Sequence, residues 1–181
     1  MTIHPTWAVM NISMNNNINL ESMKDIRLQI NIQHYQLEEL ADEDRKLVEM
    51  AVKATDNSNA KYSHFRVGAA LLLVDGSVVI GANQENAVFP LGLCAERTAI
   101  FAAQAQRPDQ AMVKIAIAAR NENGLVKMPV TPCGSCRQVI LEMEDRYKNS
   151  IQMLLYGTDG VLVVNSARDM LPLCFLDDSM K

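Results

Sequence analysis

The chain has 181 residues, 49% of them hydrophobic and 21% charged, an ordinary globular composition that excludes a wholly disordered or collagen-like protein and fits one domain. Its 17 Lys and Arg against 21 Asp and Glu leave a formal charge of −4, so no strong field draws it to a phosphate backbone, and nucleic acid is not an expected partner. The longest apolar run, Ala69 to Val74, falls far short of the ~20 residues that span a bilayer, so no membrane association is expected either.

Residues 1–23 contain four Met and a cluster of Asn (Asn11, Asn15, Asn16, Asn17, Asn19) with no periodicity that buries a face, and they read as a mobile arm. Neither a cationic start nor a continuous apolar stretch marks a secretory signal, so a cytoplasmic protein is expected. Met10, Met14 and Met23 are each possible translation starts, which makes part of the arm dispensable. Residues 24–181 then form a single catalytic domain.

Strict alternation of Ile26, Leu28, Ile30 and Ile32 with Arg27, Gln29 and Asn31 predicts an edge strand with one wet face. Apolar residues from Leu40 to Thr55 recur at helical spacing behind Asp42, Glu43 and Asp44, where negative charge suits a helix N-terminus, and predict a helix over 41–56. Phe65 to Val74 and Val78 to Ala82 flank Asp75-Gly76 and predict an antiparallel hairpin. Cys94 to Gln106, halted by Pro108, reads as a helix, and Val113 to Ala119 as a buried strand. Thr131-Pro132 signals a further helix, with Thr as cap and Pro in the first turn. Ile151 to Tyr156 and Val161 to Val164 complete the strands. Strands alternating with helices after an opening hairpin predict an α/β fold, a three-layer α/β/α sandwich around a mixed five-stranded sheet, plus the extra N-terminal edge strand.

In a reducing compartment, Cys94, Cys133, Cys136 and Cys174 read as metal ligands or reactive thiols rather than disulfides. Cys94 and the pair Cys133 and Cys136 sit at predicted helix starts, where unpaired N–H groups and partial positive charge favour thiolate over thiol. Three thiolates leave one tetrahedral position of Zn²⁺ open, as in a catalytic site, and Glu96 is near enough to serve a water there as proton shuttle. Three such ligands with a neighbouring Glu and a P-C-x-x-C match the zinc deaminase signature. A redox CxxC alone leaves Cys94-Ala95-Glu96 unexplained, and Cys174 reads as a small buried hydrophobe. None of His4, His34 and His64 has ligand spacing.

Four runs carry a resemblance: Tyr62-Ser63-His64-Phe65-Arg66-Val67-Gly68-Ala69-Ala70-Leu71, Asn83-Gln84-Glu85-Asn86-Ala87, Pro90-Leu91-Gly92-Leu93-Cys94-Ala95-Glu96-Arg97-Thr98-Ala99 and Pro132-Cys133-Gly134-Ser135-Cys136-Arg137-Gln138. In this order, over about residues 38–176, the chain resembles the small homotetrameric cytidine deaminases. The resemblance implies one Zn²⁺ per subunit and hydrolysis of cytidine and 2′-deoxycytidine to uridine, 2′-deoxyuridine and ammonia in pyrimidine salvage. It implies Asn83 and Glu85 on the ribose hydroxyls, Phe65 stacked on the pyrimidine, Ala95 beside it, and Phe175 reaching a neighbouring subunit's site. Arg97 is implied to draw charge from the ligand sulfurs, because three thiolates on Zn²⁺ sum to −1 and weaken its acidity. Phe89 stands where relatives often carry Tyr. The strand over 26–32 and the arm have no counterpart in the compact members. Deamination of another amine-bearing heterocycle, or a zinc-bearing interaction protein without activity, are the alternatives.

Overall fold

The computed structural model describes residues 27–180. The expected arm over 1–23 and the first residue of the expected edge strand, Ile26, lie outside the described residues. Residues 27–32 carry no regular secondary structure. The sheet begins with β1 (Gln33–Tyr35), followed by β2 (Arg66–Leu73), β3 (Val78–Ala82), β4 (Met112–Asn121), β5 (Gly124–Leu125), β6 (Gln152–Gly157) and β7 (Gly160–Val164). Their order is β1-β7-β6-β4-β2-β3, with β5 paired to the end of β4. β4 and β6 run parallel, joined by a crossover through helix α3 (Gly134–Tyr147), and the other pairs are antiparallel.

The sheet is buried on both faces. Ala69, Leu71, Ile115, Ile117, Met153 and Leu155 face α3 and α2 (Ala95–Gln106), packing against Ala99, Ile100, Ile140 and Leu141. Ala70, Ala116, Ala118 and Leu154 point the other way, onto Leu47, Val48 and Ala51 of α1 (Asp42–Ala54). This is the expected α/β/α layering, and near-continuous apolar runs follow from it because neither face meets water. Two glycines set how closely the helices approach: a Cβ on Gly68 would lie 2.1 Å from the Ala51 carbonyl oxygen, and one on Gly81 would lie 2.3 Å from that of Ala95. The second contact seats the N-terminus of α2 on β3 and so places Cys94.

Two expectations are corrected. Among the described residues the edge strand is β1, with Gln33 opposite Val163 and Tyr35 opposite Val161, rather than residues 27–32. Gln33 lies opposite Val163 and β7 ends one residue later at Val164, so β7 offers a partner position to Ile32 alone of the alternating segment. α3 begins at Gly134 with Cys133 as its N-cap, two residues beyond the Thr131 cap read from the sequence. Pro132 and Thr131 instead serve Arg137, whose Nε donates to the Pro132 carbonyl (2.8 Å) and whose Nη2 donates to Thr131 Oγ1 (3.3 Å). The two-residue strand β5 was not foreseen; Gly124, at φ 105°, turns the chain back so that Leu125 pairs with Arg120.

Candidate metal centre and substrate cleft

Cys94 is the N-cap of α2 and Cys133 the N-cap of α3, while Cys136 lies in the first turn of α3. The Cys94 and Cys133 sulfurs are 3.7 Å apart and those of Cys133 and Cys136 are 3.4 Å apart, and all three lie within 4.8 Å of one another. A Zn–S bond of about 2.3 Å sets sulfur edges near 3.8 Å in a tetrahedron, whereas a disulfide needs about 2.05 Å, so the spacing fits zinc. Two helix N-termini aim their partial positive charge at the cluster. The Cys94 thiol is brought down to about 5 by its hydrogen bond with Cys136, with Arg97 and Cys133 acting in the same direction. Cys136 is pushed up by that same bond, by burial and by the nearby Glu96.

Arg97 Nη2 lies 4.0 Å from Cys94 Sγ and 3.4 Å from the Gly92 carbonyl, and its buried Nε has no hydrogen-bond partner among the described residues. A guanidinium in that position is compensated by the sulfur charge. Glu96, in the first turn of α2, is 4% exposed; burial, and then the Cys94 charge, push its carboxyl above the ordinary range. Cys174 is half-buried against the core and stands apart from the cluster. A metal held by three protein ligands keeps a fourth position open, the arrangement of a catalytic centre.

Beside it, Gln84 pairs with Leu93, immediately before Cys94, and with Asn59 on its other side. This bridge carries Glu85 to a cleft of about 340 Å³ lined by Tyr62, Ser63, Glu85, Asn86, Phe89 and Gly92. Glu85 Oε2 accepts from the Tyr62 N–H (2.7 Å) and the Ser63 N–H (3.2 Å), and Oε1 accepts from the Ser63 hydroxyl. The Ser63 hydroxyl and the Tyr62 amide hold its carboxyl below the usual range, as an anion. Asn83 clamps β2: Oδ1 accepts from the Val67 N–H (2.8 Å) and Nδ2 donates to the Phe65 carbonyl (2.9 Å), leaving one Nδ2 hydrogen over. Phe65 is half-buried, Ala95 is wholly buried at the first position of α2, and Phe175 is 60% exposed. Phe89 packs edge-on against Tyr62, ring centroids 5.5 Å apart. Ser63 was not singled out from the sequence as a partner of Glu85; the two are 22 residues apart and meet only through the hairpin, and no spacing signals that.

A profile of the cytidine and deoxycytidylate deaminase zinc-binding region matches residues 41–150. A cytidine deaminase of Halalkalibacterium halodurans is 49% identical over 135 residues, 74% of this chain and 95% of that protein. One of Sporosarcina psychrophila is 35% identical over 135 residues, 75% of this chain and 93% of that protein. The crystal structure of cytidine deaminase from Burkholderia pseudomallei matches at TM-score 0.63 and 37% identity, covering 75% of this chain and 100% of that one. The chain belongs to the cytidine and deoxycytidylate deaminase family, and its three-thiol cluster, within the matched zinc-binding region, fits a zinc ion.

Proposed function

We propose that this chain hydrolyses cytidine and 2′-deoxycytidine to uridine and 2′-deoxyuridine, releasing ammonia in pyrimidine salvage in the cytoplasm. The observation that carries the proposal is the buried Glu96 beside three thiols spaced for zinc, in a chain of this family. Cys94, Cys133 and Cys136 would hold zinc, which would supply the Lewis acidity that lowers the pKa of water toward about 7. Glu96 takes a proton from the attacking water and delivers it to N3 of the pyrimidine as oxygen adds to C4. It then passes the second proton to the departing amine, so one carboxyl performs both transfers. A carboxyl raised by burial suits a group that must both accept and give a proton near neutral pH.

Asn83 offers its remaining Nδ2 hydrogen, and Glu85 its remaining lone pairs, to the sugar hydroxyls. Phe65 stacks on the base, Ala95 closes the pocket beneath it, and Arg97 offsets the thiolate charge. Phe175 serves a neighbouring copy's site, which makes the working assembly a homotetramer. Residues 24–181 form the catalytic domain, with residues 1–23 outside the chemistry.

The charge of the cleft selects among substrates. Glu85 is an anion among the cleft's described lining residues, so a phosphate beside it meets its repulsion. Cytidine and 2′-deoxycytidine are therefore expected to release ammonia while cytidine 5′-monophosphate does not. A preference for the monophosphate would contradict the nucleoside assignment. Among the described residues no helix is long and apolar enough to cross a membrane.

A further inference from the structure

The C-terminal segment that carries Phe175 is fastened at both ends by two consecutive residues of α3. Arg137 Nη1 donates to the Met170 carbonyl at 2.9 Å, where the 3-10 helix Ala167–Met170 ends. Gln138 Nε2 donates to the Phe175 carbonyl at 3.0 Å. Between these points Leu171 and Cys174 pack on the core, as does Leu176 just beyond, while Leu173 stands 90% exposed with φ 55°. A leucine in the left-handed region is uncommon, and from Leu173 onward side chains alternate, Leu173 and Phe175 exposed and Cys174 and Leu176 packed on the core. Phe175 is left pointing outward from a backbone held by packing on one side and by Gln138 on the other.

The same two residues directly follow Cys136, and Arg137 also donates to the Pro132 carbonyl just before Cys133. One turn of helix therefore holds both the thiol-bearing loop and the segment that ends in an exposed aromatic ring. We infer that Arg137 and Gln138 are positioning residues that aim Phe175 into the nucleoside site of an adjacent copy, so that substrate affinity in one subunit depends on a backbone hydrogen bond made in another. This rests on the proposed reading of Phe175 as a neighbour's residue. Gln138 holds the carbonyl of the residue that does the contacting, so its loss frees the ring without touching a thiol, a zinc or the proton path.

The test uses the full-length, zinc-loaded chain. Gln138→Met keeps the bulk of the side chain and removes the donor. It is expected to raise KM roughly 3- to 10-fold, the worth of one hydrogen bond, with kcat within about twofold and zinc content unchanged. Phe175→Ala serves as reference. Co-assembly of Gln138→Met chains with Glu96→Gln chains gives the decisive reading. The inactive chains contribute well-aimed Phe175 to competent sites, and KM per active site returns to the native value. Native KM in Gln138→Met with a raised KM in Phe175→Ala would overturn the role of Gln138 alone. Native KM in Phe175→Ala would overturn the neighbour reading and the inference with it. A raised KM that does not recover on co-assembly would place the effect within one chain and overturn delivery between copies.

Discussion

Ser63 holds Glu85 ionised, and that contact has a pH signature. The folded-state pKa of Glu85 lies below its ordinary value of 4.5, first because of the Ser63 hydroxyl and then the Tyr62 amide. The stabilisation that the carboxylate contributes is therefore fully present above pH 4.5 and is lost as pH falls through the depressed folded value. Removing the hydroxyl in Ser63→Ala raises that value, so the acid limb of thermal stability moves to higher pH. Melting temperature measured against pH for both proteins checks this, and superimposable acid limbs would contradict it. The proposed metal-ligating thiols and Glu96 stand out in the sequence because each sits at a helix start, while the meeting of Cys94 with Cys133 across 39 residues is made by the fold. The Ser63–Glu85 contact was not, since it is made by residues far apart in sequence that the hairpin brings together. Nor was the use Arg137 makes of Pro132 and Thr131, which moved the start of α3 to Cys133 and turned a thiol into its cap.

Among the elements, α2 depends on the absence of a side chain at Gly81. A methyl there would sit 2.3 Å from the Ala95 carbonyl and 2.5 Å from the Ala99 nitrogen, both backbone atoms that cannot move aside alone. Gly81→Ala is expected to displace the N-terminus of α2 at a cost of about 1–3 kcal/mol, the usual range for overpacking. Because Cys94 caps that helix, the variant should release zinc to a competing chelator faster than the native protein, and an unchanged release rate would contradict the coupling. The helices and central strands were readable from periodicity, since α1 buries one stripe and β2, β4 and β6 are apolar on both faces. The edge strand was misplaced because alternation marks a segment able to form a strand, while its position is decided by where β7 ends.

At the scale of the whole molecule, the matched region of the family begins at residue 41, after β1 and well beyond the N-terminal segment. A protein starting at Met23 is therefore expected to fold, bind zinc and deaminate cytidine as the full chain does; loss of zinc or turnover on truncation would assign that segment a part in the domain. The delivery of Phe175 to a neighbour requires an assembly. Sedimentation of the active enzyme should report a tetramer, and a fully active monomer would remove that requirement. Layering, sheet class and reaction were legible because the chemistry is carried by local motifs at element ends. The proposed assembly rests on Phe175 through the family resemblance, since an exposed aromatic ring does not record what covers it.

The most direct measurement is ammonia release from cytidine by the purified, zinc-loaded chain, with Glu96→Gln prepared in parallel. The buried Glu96 carboxyl as sole proton carrier predicts release by the native protein and a fall of at least roughly 10²- to 10⁴-fold in the variant, at unchanged zinc content. Near-normal turnover in the variant, or no release from a folded and zinc-loaded native chain, would contradict it.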